Sequence, residues 1–200
     1  LPVALPGPAE CVVLVDPSKQ AGLAPLRWDH HWRSRDGGVL LSCARDGDAY
    51  RLGMPGLATF LIDGGGGAIT CSPHETLPPG TLEHLLIDQV LPRVLTHQGR
   101  LVIHAGCVAT PRGAIGFLGD SGAGKSTLCA EFARAGHPLL GDDGILVRGT
   151  AATGFEALAT YPGLRLLPDP LVHLFDERAG AAPVAHYTEK RRLDRNSGDF

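Results

Sequence analysis

The chain reads as an α/β domain over residues 100–200, preceded by a small, mostly β region over residues 1–80 and joined to it by a helix over residues 81–99. Three observations predict this. A glycine-rich loop ending in Lys125-Ser126 lies between a short apolar strand and an amphipathic helix, residues 81–99 carry apolar side chains at helical spacing, and the first 80 residues break into short apolar runs separated by Gly and Pro. At 200 residues and 44% hydrophobic content, the chain can bury one ordinary core, or one core with a small appended domain.

Within residues 1–80, "CVVLVD", "GVLLSCA" and "LATFLIDGGGGAITCS" read as strands with turns between them. Gly64 to Gly67 reads as a flexible turn, because no Lys and no helical pattern follow the glycines to make a phosphate cradle. The period then changes. Leu82, Leu85, Leu86, Gln89, Val90 and Arg93 sit at helical spacing, with Thr81 placed to cap the start, Pro92 to kink the helix and Gly99 to end it. From residue 100 onward the pattern is strand, turn, strand, helix, strand, in "RLVIHAG", "PRG", "AIGFLG", "KSTLCAEFARAG" and "PLLGDDGILV".

The loop carries the chemistry. Gly119, Asp120, Ser121, Gly122, Ala123, Gly124, Lys125 and Ser126 match G-x-x-x-x-G-K-[ST] at every fixed position, and Thr127 follows. Glycines let backbone N–H groups turn inward onto phosphate oxygens, and the start of the following helix adds a partial positive charge. Lys125 then reaches the β- and γ-phosphates, Ser126 ligates Mg²⁺, and Thr127 caps the helix or faces the base. Leu128, Phe132 and Ala135 form the helix's apolar stripe in this reading, with Gly136 as its stop.

Asp142 and Asp143 follow closely, with Asp143 only eighteen residues past Lys125. A carboxylate at a strand end beside such a loop can hold Mg²⁺, and a second can accept a hydroxyl proton. Adjacent carboxylates are costly to ionise together, which favours one of them working as a base. The short interval leaves no room for the signature segment of a transport ATPase module. His104, at the end of "LVIHAG", is placed to face the phosphates.

Taken together, "IHAGCVA", "GFLGDSGAGKST" and "RAGHPLLGDD", with the intervals between them, resemble the catalytic domain of HPr kinase/phosphorylase and its relatives, among them kinases of lasso-peptide precursors. The likeness covers residues 100–148 and extends more loosely through "YPGLRLLPD" and "EKRRL". It implies a P-loop kinase core that uses ATP and Mg²⁺ to phosphorylate a serine hydroxyl of a peptide or protein, and a homo-oligomer. Carried over by position, Lys125 is the phosphate-binding lysine, Ser126 a Mg²⁺ ligand, His104 the active-site histidine, Asp143 the base and Asp142 an outer-sphere metal partner. The family's metal-binding Glu falls in "ATYPGLRLL", where Thr160 stands and Glu156 is out of frame. The family's catalytic Arg lies beyond this chain, which leaves Arg191 and Arg192 as the phosphate or acceptor contacts. Residues 1–80 do not resemble the family's N-terminal domain and are a candidate acceptor-binding region.

A net charge of −3 with no charge blocks provides no electrostatic footprint for nucleic acid or anionic membrane. No apolar run reaches the ~20 residues of a membrane helix, and residues 1–16 lack a signal peptide's basic segment. Five widely spaced cysteines read as free thiols in a reducing compartment, the cytoplasm. The stretch after Asp143 is short for such a kinase domain, so the sequence reads as truncated at its C-terminal end, with an exposed strand edge prone to association. The expected activity is a Mg²⁺·ATP-dependent serine kinase. The alternatives are a nucleotide-binding scaffold or sensor without transfer, and a P-loop ATPase module.

Overall fold

The structure, a computed structural model, describes residues 11–19, 27–74, 77–161, 163–175 and 181–194. The first ten residues of the stretch read for a signal peptide, and Pro162 in the segment aligned with the family's Glu, lie outside the described residues. The chain divides into two compact units, Leu1–Leu77 and Pro78–Phe200.

The first unit is one six-stranded sheet built from β1 (Val12–Val15), β2 (His30–Arg33), β3 (Val39–Asp46), β4 (Ala49–Met54), β5 (Ala58–Ile62) and β6 (Ala68–Pro73). Strands β2 to β6 form an antiparallel meander, and β1 adds to the free edge of β6 in parallel. Period-two alternation puts Leu52, Phe60 and Cys71 side by side across three strands, all of them buried. The Gly64–Gly67 run makes the β5–β6 turn, and it is a specific one. Asp63 accepts the Gly66 N–H at its carbonyl and the Ala68 N–H at its carboxylate, and a Cβ on Gly64 would come within 2.8 Å of the Asp48 carbonyl.

The second unit opens with α1 (Pro79–His84), a wider π turn over Leu85–Val90, and α2 (Leu91–His97). Pro92 accounts for the irregularity just before it, since it has no N–H to return to the carbonyl four residues back. Thr81 makes no cap. Its hydroxyl accepts the N–H of His186 at 3.1 Å and is hydrogen-bonded to the ring Nδ1 at 3.0 Å.

The rest of the unit is strand-rich: β7 (Leu101–Ile103), β8 (Gly106–Thr110), β9 (Gly113–Phe117), α3 (Lys125–Arg134), β10 (Leu139–Gly141), β11 (Ile145–Thr150), β12 (Gly154–Leu158), β13 (Gly163–Leu166), α4 (Pro168–Leu174), β14 (Ala182–Pro183) and β15 (Arg191–Asp194). They form three antiparallel three-stranded sheets, ordered β10-β8-β9, β12-β11-β7 and β13-β15-β14. Strand outweighs helix by 42% to 22%, and the expected α/β class with its P-loop kinase core is thereby corrected to a mostly β protein of several antiparallel sheets. The reason is local. The β8–β9 hairpin closes at Thr110–Gly113 and puts β8 between the strand that enters the glycine loop and the strand that leads to Asp142, so those two never pair.

Helix α3 packs on this sheet through Cys129, Ala130 and Ala133, which join Val108, Leu139, Leu164, Leu166 and Leu193 in one core. The buried face is therefore turned by about one residue from the stripe read in the sequence. Leu128 and Ala135 are exposed and Phe132 is half-buried. Small residues win the buried face because the approach is close: a Cβ on Gly106 would lie 2.4 Å from the Cys129 sulfur. Gly136 does end the helix, at φ +87°, with the N–H of Gly136 on the Ala133 carbonyl and that of His137 on the Phe132 carbonyl. Among the described residues no helix is long and apolar enough to cross a membrane.

Candidate phosphate-transfer site

The loop between β9 and α3 is built by backbone conformations that side chains disfavour. Gly119, Gly122 and Gly124 take φ of +154°, +84° and +89°, and Gly124 is the left-handed residue from which α3 starts. The first N–H groups of a helix have no partner within it, so at this end they face the loop. Lys125, only 8% exposed, folds back over the loop, and its ammonium donates to the carbonyls of Gly119 at 2.9 Å and Asp120 at 3.0 Å. Among the described residues no carboxylate holds it, so the positive charge is kept inside the loop's own ring. Asp120, Ser121, Gly122 and Ala123 lie on the exposed rim, with Thr127 half-buried one residue past Ser126.

The acidic pair and the histidine meet where two extended segments change sheets. The first runs from β7 to β8 and breaks at His104-Ala105, and the second runs from β10 to β11 and breaks at Asp142–Gly144. Because β7 pairs with β11 while β8 pairs with β10, the two breaks lie side by side. There the His104 Nδ1–H donates to the Asp143 carbonyl at 2.8 Å. The crossing forces Asp143 to φ +71°, the left-handed region that Asp and Asn tolerate better than other residues with a side chain.

The two aspartates face different partners. Asp142, 2% exposed, accepts the Ser126 hydroxyl on one oxygen and the Arg165 backbone N–H on the other, each at 2.9 Å. Burial and the neighbouring Asp143 charge push its carboxyl up to about 6, against the pull of those two hydrogen bonds and Lys190. Burial also opposes ionisation of Asp143. Lys190, Arg165 and His104 together outweigh it and hold this carboxyl below its ordinary value.

Arg165 is the centre of the arrangement. Its side chain is 2% exposed, and Nη1 lies 2.5 Å from Asp88 and 3.3 Å from Asp143. Asp88, from the π turn, is also paired with His84. Lys190 reaches Asp143 from the opposite end of the chain, at 3.7 Å. A cavity of about 600 Å³ opens over these groups and is lined by both the loop, through Gly122, Lys125 and Ser126, and the charged cluster, through His104, Asp143, Arg165 and Lys190. That volume is in the range of small-molecule sites.

Arg191 and Arg192 are not brought to the cavity. Both lie on β15, where Arg191 is exposed and Arg192 pairs with Glu83 at 2.9 Å and sits over the Tyr161 ring. Thr160 donates its hydroxyl to the Gly144 carbonyl at 2.6 Å, bracing the turn after the aspartates. Glu156 is on the surface of the β11–β12 hairpin, paired with Arg148. Sequence reasoning missed Arg165 and Asp88. Each carried a signal: a charged residue inside the apolar runs "GLRLL" and "LLIDQV" is normally buried only with a partner.

The loop fits a phosphate group on three counts: its three left-handed glycines, a lysine bound to the loop carbonyls of Gly119 and Asp120, and a helix start. Among the described residues no group of three or more His, Cys, Asp or Glu side chains could hold a metal ion by itself. A Mg²⁺ at Ser126 and Asp142 would therefore take its remaining oxygens from phosphate and water, as that ion commonly does. No protein-family model, curated protein or solved structure matches this chain.

Proposed function

We propose that this chain is a Mg²⁺·ATP-dependent kinase that transfers the γ-phosphate to a serine hydroxyl of a peptide or protein, similar to the HPr-kinase-like enzymes. The observation that carries the proposal is that one cavity is lined both by a glycine-lysine phosphate cradle and by Asp143, next to an Asp142 already bonded to the cradle's Ser126. Lys125 leaves the Gly119 and Asp120 carbonyls for the β- and γ-phosphates, and the loop amides hold the phosphate oxygens. Bound at Ser126 with Asp142 behind it, Mg²⁺ supplies charge neutralisation on those oxygens.

The serine oxygen bonds to the γ-phosphorus as the bond to the β–γ bridging oxygen breaks. ADP leaves, and the hydroxyl proton passes to Asp143. His104 fixes the Asp143 backbone, Arg165 holds the Asp143 carboxylate, and Lys190 brings positive charge to the place where phosphoryl charge is carried. We place the reaction in the cytoplasm, where ATP is available and five cysteines without a disulfide are at home.

A second reading, a nucleotide-binding scaffold without transfer, is favoured by the same Arg165 and Lys190 contacts, because a carboxyl held below its ordinary value is a weak proton acceptor. The two readings separate on one experiment: transfer of label from γ-labelled Mg²⁺·ATP to a serine-peptide library, wild type beside Asp143→Asn. Asn is chosen because it tolerates the left-handed backbone at this position. The kinase reading expects serine labelling by wild type and a loss of roughly 10² to 10⁴ in the variant, with nucleotide affinity retained. Tight binding by wild type with no labelling of any peptide rejects the kinase and leaves the scaffold.

A further inference from the structure

We infer that Arg165 is the positioning residue that gives two adjacent aspartates separate tasks, holding Asp142 to the metal side through its backbone and Asp143 to the acceptor side through its guanidinium. The inference rests on the kinase reading above. Two neighbouring carboxylates in one buried turn are chemically equivalent until something distinguishes them, and Arg165 touches both with different atoms. Its N–H donates to Asp142 at 2.9 Å, fixing the carboxylate whose other oxygen accepts the Ser126 hydroxyl. Its Nη1 lies 3.3 Å from Asp143, which lines the cavity.

The same Nη1 also donates to Asp88, at 2.5 Å, and the guanidinium lies over the Tyr161 ring at 5.2 Å. Asp88 comes from the π turn over Leu85–Val90, a different element from the Asp142-Asp143 turn. This makes a rigid brace of three parts: Asp88 sets the guanidinium, the guanidinium sets Asp143, and strand β13 sets Asp142. A planar guanidinium suits this role because it donates in more than one direction at once, which an ammonium on a flexible stem does less well.

The two halves of the brace separate under mutation. Replacement of Arg165 by Met or Lys keeps the backbone N–H, so the Asp142–Ser126 connection and Mg²⁺·ATP binding survive while control of Asp143 is lost. The test compares wild type, Arg165→Met, Arg165→Lys and the double variant Asp88→Asn/Arg165→Met. It uses a fluorescent ATP analogue with Mg²⁺ for affinity, and the peptide that wild type labels for transfer. The double variant guards against misfolding, because it removes both partners of a buried ion pair rather than stranding one charge.

Arg165→Met and the double variant are expected to bind nucleotide within about twofold of wild type and to lose on the order of 10²-fold in transfer, the scale of a misplaced catalytic group. Arg165→Lys, which keeps the buried charge, is expected to fold and fall between them and wild type. Transfer at the wild-type rate by either folded Met-containing variant, or by the Lys variant, overturns the brace and leaves the kinase reading standing. Loss of nucleotide affinity in step with transfer overturns it too, assigning Arg165 to the nucleotide site. If wild type binds nucleotide but labels no peptide, the kinase reading falls and takes this role with it.

Discussion

At the scale of single residues, the site turns on how unequally the fold treats Asp142 and Asp143, and that inequality has a pH signature. A carboxyl whose folded-state value is raised binds a proton in the folded protein that the unfolded chain has already released, so stability falls as pH rises between the two values. For Asp142, raised to about 6 by burial and by Asp143, that window runs from about pH 4 to pH 6. The loss across it is about 3 kcal/mol, at ~1.4 kcal/mol per pH unit. Asp143 works in the opposite sense, contributing stability above its unfolded value that disappears only as pH drops through its lower folded value, outside this window. Denaturant unfolding of metal-free protein should therefore show Asp142→Asn gaining on wild type as pH rises from 4 to 7. Parallel stability curves would mean that Asp142 is not the buried acid described here. In the sequence both aspartates were legible as chemistry, through their spacing from Lys125. The residues alone left open which of them does what, and only the family resemblance assigned roles; their different contacts were not legible, because Arg165 reaches the turn through β13.

Elements explain why some patterns were legible and others misled. The loop, its flanking strand and helix, and the Gly136 stop are local: each is specified by a few neighbouring residues and needs no tertiary partner. The helix's buried face is tertiary. Leu128 and Phe132 are larger apolar side chains than Cys129 and Ala130, yet the close approach of β8 selects the small residues. This contact can be tested directly. Gly106→Ala places a methyl 2.4 Å from the Cys129 sulfur, a separation that must open, and overpacking of this kind costs roughly 1 to 3 kcal/mol. Removing that sulfur with Cys129→Ala leaves the new methyl in ordinary contact with the Lys125 carbonyl at 3.5 Å and Asp142 at 3.7 Å. The double variant should thus be more stable than the sum of the two single losses, read from thermal midpoints. Simple additivity would show that the helix and strand do not press together at this point. The strand breaks at His104 and at Asp142–Gly144 were equally hidden, since each looks from sequence like the middle or end of one continuous strand. Only the partner strands show that each segment serves two sheets.

On the scale of the whole molecule, residues 78–200 form their own compact unit around the cavity, and nucleotide binding should register as stability of the chain. At a concentration one hundred times its dissociation constant, Mg²⁺·ATP should add about 2.7 kcal/mol and raise the unfolding midpoint accordingly. Lys125→Met should remove most of that shift while leaving the unliganded midpoint nearly unchanged, because among the described residues Lys125 bonds only to loop carbonyls. An equal shift in the variant would place the nucleotide elsewhere. The sheet order was the least legible feature. The strand succession suggested a P-loop core, and the turn between β8 and β9 was legible, but the pairing of β8 with β10 was not, because it joins segments far apart in the chain. Thr81 and His186, joined by two hydrogen bonds across 105 positions of chain, carry a further consequence for synthesis. A ribosome delivers the loop and α3 well before His186 and Lys190 emerge, and contacts this distant in sequence form late. The glycine loop and α3 therefore leave the ribosome before the stretch around Lys190 that lines the other side of the cavity, and until then α3 also lacks its packing partner Leu193.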